Sequence, residues 1–255
     1  MESRKVLAYL AIKFRGNRSK IFHAIRFKEE MNVEEIENCL SECKTDYITL
    51  LDEDYPIELK NIHRPPIVLF YKGDKSLLNS KKVLAIVGSR HCSDYAKFAT
   101  KQIIHELNED IVIVSGLAKG VDTIALEACL QEGKKPIAFL GCGIDYIYPN
   151  ENYSLYKDIE EHGLLISEYP GYTPPSKEYF PIRNRLIAGI SRGVLVIEGK
   201  TKSGTATTVN HAAAFNKDIY AIPHPITIEN DSICNDLIRD GAIIVRNAND
   251  INEDF

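Results

Sequence analysis

Several patterns that would assign this chain of 255 residues to a particular class are missing from it. It has no Trp, only two Met, and six Cys without Cys-x-x-Cys spacing, which leaves little support for a zinc site or a disulfide framework. No stretch reaches the roughly 18 consecutive apolar residues of a transmembrane helix, and the apolar run from Val6 to Ile12 is too short for a secretory signal. We therefore expect a cytoplasmic protein with free thiols and no membrane association.

The chain also lacks an excess of cations. It has 31 Lys and Arg against 36 Asp and Glu, a net charge of -5, which argues against a surface that binds nucleic acid everywhere. The acidity is concentrated, because residues 218–255 hold 8 acidic and 2 basic residues whereas residues 81–217 hold 15 and 16. A local basic site in the central part stays possible, and the acidic segment is expected to face a protein partner.

Motifs of common enzyme classes are absent as well. The chain has no Walker A loop, no Gly-x-Gly-x-x-Gly fingerprint, no nucleophile elbow and no His cluster with metal-ligand spacing. We therefore expect a binding protein that is not an enzyme, with no catalytic residues, no cofactor and no metal.

The patterns that are present indicate two regions. Residues 5–44 show helical apolar spacing, broken at Gly16-Asn17 and resumed after Asn32, and residues 45–66 favour an extended connection. A strand is expected within 67–74. Seven further apolar runs, at 83–88, 111–116, 136–141, 164–169, 193–199, 218–223 and 242–246, are typical of strands buried on both faces of a sheet. The prediction is an α/β protein with a Rossmann-like, doubly wound, mostly parallel sheet: residues 1–66 form a small helical module and linker, and 67–255 the larger domain.

Three loops that follow predicted strands combine small residues with a cation. Backbone N-H groups at helix starts bind phosphate, and the carboxyl ends of parallel strands share one edge of a sheet. We therefore predict a polyanion pocket there, although a tight strand-to-helix turn remains the alternative for any one loop. The residues are Gly88, Ser89 and Arg90 in the first loop, Ser115, Gly116, Lys119 and Gly120 in the second, and Lys202, Ser203, Gly204 and Thr205 in the third.

A basic and aromatic segment lies between the fourth and fifth of these runs. Guanidinium groups suit phosphate, and a ring beside them can stack on an unpaired base. Its candidate contact residues are Lys177, Phe180, Arg183, Asn184 and Arg185. The alternative is that Phe180 belongs to the core and that one arginine forms a structural ion pair with Glu168 or Glu198.

Six strings occur in the order found in one bacterial family. They are LAIVGSR at 84–90, IVSGLAKGVDT at 113–123, LGCGIDYIYPNEN at 140–152, SEYP at 167–170, FPIRNRLIAGISRGVLVIEG at 180–199 and SGTATT at 203–208. Together they resemble the DprA/Smf family of DNA-processing proteins over roughly residues 45–246. The region in front is similar in place and size to the family's helical module, and the winged helix that many members carry after the sheet domain is not expected.

The resemblance implies a non-catalytic protein that binds incoming single-stranded DNA and loads the recombinase RecA onto it during natural transformation. It implies DNA contacts at Arg90, Lys177, Phe180, Arg183 and Arg185. It also implies a homodimer formed through the C-terminal part of the Rossmann-like domain.

Candidate dimer residues are Ile238 and Ile244, which can equally be ordinary core. The sequence departs from the family pattern at Leu126, where His is usual, and at Ala96 and His224, where Gly is usual. The departure at His224 and the following loop, DSICNDLIRDGA, bear on dimer affinity.

Two other functions stay open. A nucleotide sensor or a nucleotide-cleaving enzyme would use the same phosphate-binding loops, with Glu198 as acid or base. A RecA-partner scaffold with weak DNA contact is the third option.

Overall fold

The structure, a computed structural model, describes residues 2–225 and 233–255. It begins with α1 (Ser3–Lys13), α2 (Arg18–Arg26) and α3 (Val33–Glu42). The predicted break at Gly16-Asn17 is confirmed: Gly16 has a φ of +71°, and the Asn17 side chain caps α2 by accepting a hydrogen bond from the N-H of Lys20 at 3.1 Å. Asn32 caps α3 through the N-H of Glu34 at 2.9 Å.

The strands of the described residues form one nine-stranded sheet in the order β1-β2-β6-β5-β4-β3-β7-β8-β9. Strands β3 to β9 run parallel, and β1 and β2 are antiparallel additions at one edge. The predicted mostly parallel, Rossmann-like sheet is confirmed. Their bounds are β1 Asp46–Thr49, β2 Val68–Gly73, β3 Val83–Gly88, β4 Val112–Ser115, β5 Ile137–Phe139, β6 Leu164–Ser167, β7 Gly193–Glu198, β8 Asp218–Ala221 and β9 Ile243–Ile244.

Helices cover both faces of this sheet because its strands are apolar on both sides. In β3, Val83, Ala85 and Val87 belong to one hydrophobic cluster, and Leu84 and Ile86 to the cluster on the opposite face. The helices are α4 Ile57–Lys60, α5 Asp94–Glu106, α6 Val121–Gln131, α7 Tyr153–His162, α8 Tyr179–Ile190, α9 Gly204–Ala214, α10 Ile233–Arg239 and α11 Asn249–Asn252. Within the described ranges, none of them has the length and apolar character needed to cross a membrane.

Two segments differ from the sequence interpretation. Residues 46–49, expected in a connection, form β1 and pair with β2, and four residues are too few for strand periodicity to show. Residues 233–239, expected in a loop, form α10 because Ile233 and Cys234 are buried and Leu237, one turn later, packs on the same cluster. Residues 231–232 of that predicted loop lie outside the described residues.

The N-terminal helices pack directly onto the sheet. Leu10, Ile21 and Ile36, one from each helix, share a hydrophobic cluster with Phe70 of β2 and Leu165 of β6. The helical segment thus continues the core of the larger region. A domain boundary at residue 66 remains a prediction from sequence alone.

The strand order reverses at β3. From β3 the chain proceeds outward through β4, β5 and β6 on one side, and then returns to place β7, β8 and β9 on the other. The crevice beyond the carboxyl ends of β3 and β7 is therefore the topological switch point, where open α/β sheets bind ligands.

Candidate functional site

A cavity of about 750 Å³ opens at this switch point. Its walls are mainly the loops that follow β3 and β7, together with the start of α9 and one face of α8. Of the predicted loop residues it is lined by Gly88, Ser89, Arg90, Ser203, Gly204 and Thr205, and of the basic segment by Arg183 and Asn184. The structure thus brings the first and third predicted loops together.

The second loop packs against the backbone of the first loop. Gly120 has a φ of +78°, and a Cβ atom there would overlap the carbonyl oxygen of Ser89. The N-H of the next residue, Val121, donates to that same oxygen at 3.1 Å. Gly120 therefore permits the close approach that fixes the backbone in front of Arg90.

Three other predicted residues of the second loop are also occupied within the protein. The Ser115 hydroxyl donates to the carbonyl of Ile86 at 2.7 Å, and the Arg183 guanidinium packs against Gly116, where a Cβ atom would overlap it. Lys119 is exposed and pairs with Glu151 at 2.5 Å. Of this region, only Ala118 and Asp122 line the cavity.

The third loop ends in the capped start of α9. The Ser203 hydroxyl accepts from the N-H of Ala206 at 3.3 Å, and the Asn184 side chain donates to the carbonyl of Gly204 at 3.0 Å. The first turn of α9 therefore faces the cavity as a fixed group of backbone donors, a geometry suited to an anion. Lys200 at the cavity wall and the exposed Lys202 add positive charge.

Carboxylates also face the cavity. Glu198 accepts hydrogen bonds from the N-H of Ser93 at 3.2 Å and from its hydroxyl at 2.5 Å. Asp122 is buried, accepts from the N-H of Gly116 at 3.1 Å, and has a pKa that burial raises and that the nearby Arg183 cation opposes. The cavity therefore offers hydrogen-bond acceptors as well as cations, and its charge is mixed.

Arg183 is buried at the base of the cavity. Its guanidinium donates to the carbonyls of Gly116 and Phe139, the latter at 2.5 Å, and its Nε donates to the Asn184 side chain at 3.0 Å. It thus ties α8 to the loops after β4 and β5. A direct DNA contact by Arg183 remains a prediction.

Arg185 does not line the cavity. It donates to both carboxylate oxygens of Glu168, just beyond the end of β6, at 2.6 and 2.7 Å. The two side chains are only 8% and 13% exposed. This is the structural ion pair that the sequence left open as an alternative, so a DNA contact by Arg185 has no geometric support here.

The Arg90 guanidinium and the Phe180 ring lie together beside the cavity. The guanidinium carbon is 5.6 Å from the ring centroid, and the half-buried ring packs against Gly141. Lys177, just before α8 begins, is exposed. Two candidates that are 90 residues apart in sequence thus form one cation and ring pair.

The sequence did not single out two exposed tyrosines, one beside Phe180 and one in the loop before α8. The ring of Tyr148, which is exposed, lies 5.8 Å from that of Phe180 between centroids. Tyr172 is 79% exposed in the loop before α8. Tyr148 lies in the string at 140–152, and Tyr172 lies just after the string at 167–170. Their position in or beside the segments that resemble the family is the sequence signal that could have identified them.

The C-terminal candidates differ in exposure. Ile238 is half-buried against the core, whereas Ile244 is exposed on β9, the last strand of the sheet. Of the family departures, Leu126 and Ala96 are buried in helices, and His224 lines the cavity with its Nε2 2.9 Å from the carbonyl oxygen of Ile197. No group of His, Cys, Asp and Glu in the described ranges could hold a metal ion.

The fold and this site define a class: a Rossmann-like α/β protein whose loops at the switch point have a geometry suited to an anion. The family model for DNA recombination-mediator protein A matches residues 46–255, and the chain belongs to this family, known as DprA or Smf. It is 43% identical over 207 residues to DNA processing protein DprA of Streptococcus pneumoniae, and 37% identical over 213 residues to that of Bacillus subtilis. These matches cover 81% and 82% of this chain and 73% and 70% of the relatives.

Solved structures agree with this assignment. The X-ray structure of Streptococcus pneumoniae DprA superposes with a TM-score of 0.83 at 34% identity, over 100% of this chain and 98% of that one. A Helicobacter pylori DprA structure, described as giving insight into its single-stranded DNA binding mode, has a TM-score of 0.73 at 30% identity, over 84% and 96%. The chain spans only 54% of the curated Escherichia coli relative, Protein Smf.

Proposed function

We propose that this protein binds single-stranded DNA at the switch-point edge of its sheet and delivers that DNA to RecA, without catalysing a reaction itself. The observation that carries the proposal is the Arg90 and Phe180 pair beside the start of α9. A cation next to an accessible ring can bind phosphate while the ring stacks on a base, which is how proteins hold single strands without sequence preference. The Helicobacter pylori relative, whose structure addresses single-stranded DNA binding, supports the choice of ligand.

The test is binding of a fluorescent oligothymidine over a salt series. Arg90→Glu should weaken binding for every sequence and flatten the salt dependence, because a phosphate contact is lost. Phe180→Ala should weaken binding by about 1–3 kcal/mol through lost stacking. Lys81→Glu, an exposed cation before β3 at the opposite edge of the sheet, is the matched charge control. Unchanged DNA binding in the Arg90→Glu variant would refute the assignment of the DNA-binding site to this edge of the sheet.

The proposed RecA and homodimer interactions need separate measurements. A pull-down with purified RecA after nuclease treatment tests a direct contact. We assign the dimer contact to Ile244, an exposed apolar residue on an edge strand, so Ile244→Asp should shift the protein towards the monomer in sedimentation velocity. Ile57→Asp, at an even more exposed isoleucine of α4, should leave the sedimentation unchanged.

A second candidate function is a nucleotide sensor. The cavity of about 750 Å³ has the size of a small-ligand pocket, and Glu198 and Asp122 can accept hydrogen bonds from a base or a sugar hydroxyl. Calorimetry with a panel of mononucleotides separates the two functions. Micromolar binding of one nucleotide, with indifference to oligonucleotide length, would favour the sensor.

A further inference from the structure

The N-terminal helices carry a segregated charge that the site above does not use. Residues 3–28 contain eight Lys and Arg and no Asp or Glu, whereas residues 29–58 contain eleven Asp and Glu and a single Lys. Such separation within one small helical region is not needed for folding, since interspersed charges would keep the surface equally soluble. The basic part comprises α1, the turn after it, and α2.

Most cations of the turn, of α2 and of the residues just after it are exposed, whereas Arg18 is half-buried and bonded to a carbonyl. In α1, Arg4 pairs with Asp52 at 3.0 Å, and Lys13 lies near the Tyr9 hydroxyl and Glu35. By contrast, the described part of the chain offers no carboxylate within ion-pair distance to the exposed Arg15, Lys20, Arg26 or Lys28. These four cations therefore keep their positive charge exposed, although one carboxylate, Glu29, lies 3.6 Å from His23 of α2.

Aromatic rings are exposed among these cations. Phe22 is 48% and Phe27 is 63% exposed, although large apolar side chains are normally buried. The guanidinium carbon of Arg18 lies 4.6 Å from the Phe22 ring centroid, and that of Arg26 lies 5.8 Å from the Phe27 ring centroid. The face thus repeats the combination found at Arg90 and Phe180, an accessible ring beside a cation.

The basic face adjoins the switch-point edge through a short series of contacts. Tyr179, the neighbour of Phe180 at the start of α8, stacks on Tyr169 with 4.0 Å between ring centroids. The turn before α2 packs there too, since a Cβ atom at Gly16 would lie 2.6 Å from the carbonyl oxygen of Glu168 and 2.8 Å from the Tyr169 ring. Arg18 donates to the carbonyl of Pro65, which fixes α2 in this position.

We propose that α2 and the turn before it form a second single-stranded DNA contact, which extends the strand held at Arg90 and Phe180 across the carboxyl edge of the sheet. This proposal rests on the proposed function. It adds a longer DNA footprint and the path that the strand follows over the protein surface. Nucleic acid is favoured over an acidic protein because exposed rings beside cations suit bases with phosphates. The turn before α2 also packs on Tyr169, which stacks on the neighbour of Phe180, so the two sites lie near each other.

The experiment compares a short oligothymidine of about five nucleotides with a long one of about fifteen, both within the range that single-strand sites cover. Arg15→Glu with Lys20→Glu should leave binding of the short strand unchanged and weaken binding of the long strand at least tenfold. The slope of log K against log salt for the long strand should fall by about 1.4, because each lost phosphate contact on a single strand is worth about 0.7. Phe27→Ala should weaken only the long strand, by at least about fivefold.

The matched control is Lys81→Glu with Lys101→Glu, two exposed cations without an ion-pair partner in the described residues that impose the same charge change elsewhere. Equal losses in the control and in the Arg15 and Lys20 variant would mean a general charge effect and overturn the proposal. Unchanged long-strand binding in that variant, while Arg90→Glu still weakens binding, would also overturn the proposal and indicate an acidic protein as the ligand of this face. Unchanged binding in the Arg90 variant would instead refute the proposed function.

Discussion

The ion pair between Arg185 and Glu168 allows a quantitative test of whether this arginine stabilises the fold or binds the DNA. Both side chains are almost fully buried, and the carboxylate accepts two hydrogen bonds from a single guanidinium nitrogen. Removing one partner of such a pair leaves an uncompensated buried charge, which destabilises proteins by about 3–5 kcal/mol.

The surroundings decide where in that range each variant falls. Arg18 lies close enough to act electrostatically on both groups, and burial together with the Arg185 charge lowers its pKa. Arg185→Met leaves Glu168 near Arg18, so the loss should be about 3 kcal/mol. Glu168→Leu leaves two neighbouring cations without their carboxylate, so the loss should be about 5 kcal/mol.

The double variant completes the cycle. In the double variant no uncompensated charge remains, so its loss of stability should be smaller than the sum of the two single losses. The difference, roughly 3 kcal/mol, is the coupling energy between the two side chains. Urea-induced unfolding followed by circular dichroism gives these free energies. Additive losses below about 1 kcal/mol each would refute the reasoning, since that is the behaviour of an exposed pair.

The same variants separate stability from binding. If Arg185 is structural, folded Arg185→Met protein retains its affinity for single-stranded DNA. A large loss of affinity without a loss of stability would show that Arg185 contacts DNA, as the sequence resemblance implied.

Two further predictions concern the loops and helices around the site. Gly120→Ala should weaken DNA binding and lower the free energy of unfolding by at least about 2 kcal/mol, because it combines a strained φ with overlap against a backbone carbonyl. The control is Gly133→Ala, which has a φ of +70° and open space around it. It should show only the cost of the strained φ, about 1 kcal/mol. Burial lowers the pKa of His211 in the folded protein, so the free energy of unfolding should fall as pH drops below about 6.5, the unfolded value, and His211→Asn should remove that dependence in urea titrations at several pH values.

Much of the fold followed from the sequence. Each of the seven apolar runs assigned to strands from residue 83 onward contains one strand of the parallel sheet, because a strand covered on both faces is apolar at most positions. The first and third predicted loops, which the structure brings together at the cavity, could be located from the same kind of signal, because Gly, Ser and a cation follow a buried strand in both. Both signals come from neighbouring residues in the chain, so they can be recognised in the sequence without knowing which distant segments meet.

The partners of the cations depended on the tertiary structure. Arg90, Arg183 and Arg185 were equivalent candidates in sequence, yet one lies over a ring, one is bound to carbonyls, and one is paired with a carboxylate. Those outcomes depend on which loops meet across a strand-order reversal, and that pairing of distant segments leaves no local mark on the sequence. Only the structure showed that Arg15, Lys20, Arg26 and Lys28 have no ion-pair partner among the described residues, although eleven acidic residues follow them within residues 29–58.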